Sequence, residues 1–129
     1  MNKNDLLVKF AYLKEQGEII VKNIAILEER LTETLIAKNT LEELKKVGKG
    51  ELLVPIGGGC FIETELKNLD SVTINIGGGV SKEASVEESL SKLDENAENI
   101  RKMLMHTREN LSKIENDLAA VDKELRKQK

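Results

Sequence analysis

Few residues of this chain could do chemistry, and their spacing does not favour it. Cys60 is the sole cysteine and His106 the sole histidine, so neither an internal disulfide framework nor a multi-histidine metal site can form within one chain. Cys60 has no activating base near it in sequence and falls at a strand start, which reads as a packing thiol rather than a nucleophile. His106 reads as a solvated residue beside a helical seam. The runs Gly57-Gly58-Gly59 and Gly77-Gly78-Gly79 invite comparison with a phosphate cradle. The first, however, leads into Cys60 and Phe61, not into the Gly-Lys-Ser/Thr ending and helix start that such a loop needs. Asn110-Leu111-Ser112 fits a glycosylation acceptor in form only, because Leu111 falls on an apolar helical seam. No catalytic constellation is left. The expectation is a protein that is not an enzyme, with no metal and no cofactor.

Composition points the same way. Of 129 residues 40% are hydrophobic but only 2% aromatic, and 33% are charged. Phe10, Tyr12 and Phe61 are the only rings, too few to anchor a wide enzyme core. Abundant Glu, Lys, Leu and Ile suit long helices or coiled coils, and the aliphatics disfavour disorder. A net charge of -3 and a pI near 5.4 lack the basic face that phosphate neutralisation requires, so no nucleic-acid partner is expected. Aliphatic runs such as Ile24 to Leu27 are too short for a transmembrane helix, and Lys9 interrupts the apolar start, so neither a membrane partner nor a secretory signal is read. The lone cysteine fits a reducing, cytoplasmic setting.

The glycines divide the chain into helix, β insert and helix, an α+β class. Val86, Leu90, Leu93, Ala97, Ile100, Leu104, Thr107, Leu111, Ile114, Leu118, Val121 and Leu125 follow a 4,3 spacing without a slip. That repeat keeps one stripe facing a partner helix. Ser85 followed by Glu88 reads as a capping box at the helix start. A second seam runs through Leu6, Phe10, Leu13, Gly17, Ile20, Ile24, Leu27, Leu31, Thr34, Lys38, Leu41 and Lys45, with Leu7, Val21 and Leu35 beside it and Gly48 as the C-terminal cap. Laid antiparallel, Leu6 faces Leu125, Phe10 faces Val121, Leu13 faces Leu118, Gly17 faces Ile114 and Lys45 faces Val86. Charges beside the seam then place Lys14 near Glu115 and Asp122, and Glu28 near Arg101 and Arg108, while Glu42 meets Glu87 unfavourably. Lys38 and Lys45 loosen one end. At about 1.5 Å per residue the pair would form a rod of roughly 60 Å.

Between the helices, Ile56-Gly-Gly-Gly-Cys60-Phe-Ile-Glu63 recurs after 20 residues as Ile76-Gly-Gly-Gly-Val80-Ser-Lys-Glu83. Alternating apolar residues on either side, and triple glycines able to take positive φ, predict two β-hairpins over 51–66 and 71–85. Pro55 belongs at an edge. Four short strands have too little helix to bury them, so their edges are expected to close into a barrel with other chains.

Leu53-Val-Pro-Ile-Gly-Gly-Gly-Cys-Phe61, followed by the second Ile-Gly-Gly-Gly turn and framed by two heptad helices, resembles the alpha-type subunit of prefoldin. The resemblance covers essentially the whole chain, which reads as one domain, 1–129: helix 1–48, hairpins 51–85, helix 86–129. It looks archaeal. It implies an ATP-independent holdase in a hexamer of two alpha-type and four beta-type subunits, with hairpins forming a β-barrel base and coiled coils gripping unfolded polypeptides for a group II chaperonin. On this sequence the assembly residues would be Val54, Pro55, Ile56, Phe61, Ile62, Val72, Ile74, Ile76 and Val80, with Gly57, Gly58, Gly59, Gly77, Gly78 and Gly79 making the turns. Clients would meet Leu6, Leu7, Phe10, Val121 and Leu125, where the chain ends come together. These side chains could equally close the coiled coil, the reading preferred for Leu13 and Leu118. Lys3, Lys9, Lys123, Arg126, Lys127 and Lys129 make that end mildly basic. Polar Ser81, Lys82 and Glu83 after Val80 depart from the family pattern. The alternative is a self-assembling scaffold or filament built through the hairpins.

Overall fold

The computed structural model of the chain describes residues 2–128; Met1 and Lys129, the latter counted above in the basic end, lie outside them. In chain order the elements are α1 (Lys3–Val47), β1 (Gly50–Gly57), β2 (Cys60–Leu66), β3 (Val72–Gly77), β4 (Val80–Ala84) and α2 (Val86–Lys127). β1 pairs antiparallel with β2, and β3 with β4, as two separate two-stranded sheets. The α+β architecture expected from the heptads and glycines is therefore the one observed.

Both helices owe their length to the seam. All twelve seam positions of α2 are buried or half-buried, and eleven of twelve in α1, with only Lys45 exposed. Local chemistry sets the ends. Asn2 caps α1, its Oδ1 accepting from the Asp5 N–H at 2.8 Å, a cap that the sequence reading missed. Gly48, at φ 76, donates to the Leu44 carbonyl at 2.8 Å and closes α1. Ser85 Oγ accepts from the Glu88 N–H at 3.0 Å at the start of α2. Only this half of the expected capping box forms, because the Glu88 carboxylate lies 3.8 Å from Lys82 Nζ instead.

The internal repeat produces repeated geometry. Gly57, Gly58 and Gly59 have φ of 103°, 60° and 78°; Gly77, Gly78 and Gly79 have 105°, 61° and 74°. Side chains with a Cβ avoid this region, and two successive left-handed residues suit the right-handed strand twist. Each ladder also shifts register at the isoleucine before the glycines, between Pro55 and Gly57 and between Asn75 and Gly77. Ile56 and Ile76 are thus extra residues at bulges. Asn75 Oδ1 accepts from the Gly77 N–H at 2.8 Å.

The chain divides into two compact units. The first runs to Thr32 and resumes at Glu98. In it Leu6, Leu13 and Val121 are buried, with Phe10, Ile114, Leu118 and Leu125 packed on them. The position of Gly17 faces Ile114, and Glu28 pairs with Arg108 at 2.7 Å, so the helices run antiparallel in the expected register. The expected Lys14 pairing does not form, because Asp122 bonds Arg126 one turn along its own helix at 3.1 Å. An i,i+4 partner on the same helix requires less side-chain ordering.

The second unit is Glu33–Ala97. Leu41, Ala84, Val86, Ser89 and Ala97 are buried in it. The seam lysines, expected to loosen this end, both have partners across the helix pair. Lys38 Nζ lies 2.5 Å from Asp94 and Lys45 Nζ 2.9 Å from Glu87, each a bond from α1 to α2. The carboxylates stand one residue beyond the seam positions Leu93 and Val86, within reach of a long lysine stem. The Glu42–Glu87 conflict is relieved too, since Glu87 pairs with Lys45 and Glu42 lies 3.9 Å from Lys38.

Candidate functional site

Two apolar surfaces stand out, one in each unit. At the paired chain ends, Leu6 and Val121 are buried at 5% and 4% exposure and Phe10 and Leu125 are half-buried, all in one cluster with Leu13 and Leu118. Of the five residues read as client contacts only Leu7 is exposed, at 48%. The other four pack against one another in the cluster. Beside the cluster, Val8 and Tyr12 are 70% and 60% exposed. Sequence reading passed over them because they lie off the heptad stripe. Farther along α1, Ile19 and Ile26 are also exposed, whereas α2 shows only Met103 and Met105 among its large apolar side chains.

The second surface is the hairpin pair. Ile56, Phe61, Ile76 and Val80 are each more than half exposed, and Val54, Pro55 and Ile62 are exposed as well. In β1–β2, Pro55 faces Phe61 and Leu53 faces Glu63, while Val54 faces Ile62 and Leu52 faces Thr64. Alternate pairs point to opposite faces, so this ribbon carries apolar groups on both. Leu53, exposed and not among the expected assembly residues, belongs to it. Val72 and Ile74 differ: both are half-buried and line a cavity of about 460 Å³ with Leu41, Leu44, Ser89 and Leu93 of the same unit. They are partly covered by their own chain. Ser89 is fully buried, and its Oγ has no hydrogen-bond partner.

Neither surface carries an assembled set of reactive groups among the described residues. Cys60 is exposed, with its Sγ 3.9 Å from the Gly58 carbonyl, so within this chain it is not the packed thiol expected. His106 is exposed on α2, as expected. Among the described residues no three His, Cys, Asp or Glu side chains converge as a metal site, and no helix is long and apolar enough to cross a membrane. The Glu87 carboxyl is held below its usual range by the hydrogen bond from Lys45.

With this geometry in place, comparison with known proteins is informative. The family model described as Prefoldin subunit matches residues 13–128. The chain is 30% identical to prefoldin subunit alpha of Methanobrevibacter smithii over 125 residues, covering 95% of this chain and 86% of that one. It is also 30% identical to prefoldin subunit alpha of Pyrococcus horikoshii, with 92% and 84% covered. The cryo-EM structure of filamentous PFD from Methanocaldococcus jannaschii superposes with a TM-score of 0.73 at 20% identity, covering 94% of this chain and 98% of that one, a likeness of fold. Two heptad helices around two glycine-turned hairpins, matched to the family model from residue 13 to residue 128, place this chain in the prefoldin family.

Proposed function

We propose that this chain is a subunit of an ATP-independent holdase that captures unfolded polypeptides at its paired helix ends and passes them to a group II chaperonin in the cytoplasm. The observation that carries the reading is the cluster of Leu6, Phe10, Leu13, Val121 and Leu125 at the chain ends, next to the exposed Leu7, Val8 and Tyr12. Helix ends fray at low cost. Fraying here uncovers aliphatic and aromatic groups on adaptable segments, which gain about 25 cal/mol for each Å² of client surface they bury. Several weak grips in one assembly multiply. No nucleotide enters the scheme, and the glycine triplets serve as hairpin turns.

The assembly itself is proposed to form through the hairpins with beta-type subunits, two alpha to four beta. A two-stranded ribbon is marginal in water and its open edges invite pairing. Exposed Ile56, Phe61, Ile62, Ile76 and Val80 supply the surface to bury. The same edges would serve a self-assembling scaffold made of this chain alone, the second reading. Removing the first ten and last ten residues from the assembled protein and following suppression of client aggregation tests the first. Loss of suppression with the assembly intact is expected, and undiminished suppression would refute capture at the chain ends.

A further inference from the structure

The cavity of about 460 Å³ in the second unit is bounded by three elements. Helix α1 contributes Ala37, Leu41 and Leu44, and α2 contributes Ser89, Leu93 and Asn96, each set lying along one helical face. Strand β3 forms the third side. Val72 and Ile74 point to one face of that strand and Thr73 and Asn75 to the other, yet all four line the cavity and no residue of β4 does. Four consecutive residues can border one space only along the strand's edge. Because β3 pairs with β4 alone, this is its open edge, where backbone N–H and C=O groups stand unpaired.

The charge of the lining is one-sided. Lys92 is the only charged residue in it, and no carboxylate reaches it, although 23 of the 129 residues are Asp or Glu. The grooves around Glu28 and Arg108, Lys9 and Asp117, and Lys45 and Glu87 all mix both signs. Lys92 pairs with Glu95 of its own helix at 3.9 Å, with both side chains exposed, an arrangement that holds the ammonium weakly. Ser89 in the wall is fully buried with its Oγ unpartnered, so the chain does not complete its own packing and bonding here.

We infer that this cavity is a binding site for a medium-chain aliphatic monocarboxylate. Its tail lies against Leu41, Leu44, Leu93 and Ile74, and its carboxylate sits at the mouth between Lys92 and the β3 edge. The chemistry selects that ligand. Unpaired N–H groups and one ammonium favour a single negative charge, and the absence of carboxylates removes the repulsion an anion meets elsewhere on this acidic chain. The aliphatic floor requires a tail to bury, and the volume falls in the range of small-molecule sites. The chain ends and the glycine turns contribute nothing to it, so this site is independent of client capture.

Heteronuclear NMR titration of the isotope-labelled full-length chain with octanoate, kept below its micelle-forming concentration at neutral pH, tests the proposal. Saturable shifts are expected at the amides of Thr73, Ile74, Asn75 and Asn96. Octanol, which has the same tail without the charge, should bind about fivefold more weakly, the upper range for an exposed ion pair. Lys92→Gln should bring octanoate down to the level of octanol and leave octanol unchanged. Ala37→Phe fills the cavity from an exposed position and should weaken both ligands at least about tenfold, the loss expected when the tail can no longer be buried. If that variant loses helix by circular dichroism, Thr40→Phe, also exposed and lining, decides in its place. The proposal is overturned by the absence of saturable shifts, by shifts at the chain ends or glycine turns instead, or by undiminished binding in the folded filling variant. Equal losses of octanoate and octanol in Lys92→Gln would overturn it as well, since the carboxylate would then not be what Lys92 recognises.

Discussion

Two serines four residues apart, one capping α2 and one within it, show how the same side chain can stabilise or merely occupy space. Ser85 Oγ accepts the Glu88 N–H at 3.0 Å, a cap typically worth about 1 kcal/mol. Ser89 is fully buried with its Oγ unpartnered, and a buried hydroxyl without a bond gains nothing from being polar. Ser85→Ala is accordingly expected to lower the thermal midpoint, and Ser89→Ala to leave it unchanged or raise it, as differential scanning calorimetry would read directly. Glu87 adds a pH dependence of definite sign. Its folded pKa lies below its ordinary value because Lys45 bonds it, so its contribution is present above the ordinary carboxylate range and is lost as pH falls through the lowered value. The midpoint difference between the native protein and Glu87→Gln should be largest near neutrality, vanish in acid and shrink with salt, since the pair is exposed.

At the scale of elements, the hairpins and the helices are stabilised by different things. Helix α2 has every seam position buried or half-buried, whereas the hairpins expose most of their apolar groups. A defect in a turn should therefore appear in assembly more than in helix melting. Gly58 sits at φ 60°, where an L-residue costs about 1–2 kcal/mol. Gly58→Val is expected to leave helical circular dichroism intact while impairing uptake into a mixed oligomer by size exclusion. The contrast also explains what could be read from the sequence. Heptads and the 20-residue repeat are periodic, so the seams, both hairpins and the Glu28–Arg108 contact were legible. Features depending on one neighbour were not. The Asn2 cap depends on one backbone N–H, and the bonds that stabilise Lys38 and Lys45 on carboxylates just past the seam. Val8, Tyr12 and Ile19 follow neither stripe, and the half-burial of Val72 and Ile74 depends on how β3 lies over its own unit.

On the scale of the whole molecule, the hairpins present apolar faces and open edges for a partner to cover. The most direct test is the mass of the purified chain by light scattering after size exclusion, alone and after mixing with a beta-type subunit from the same organism. A discrete hexamer is expected in the mixture only. A large homo-oligomer formed by the chain alone, with no uptake of the partner, would contradict it and assign the hairpins to a self-assembling scaffold.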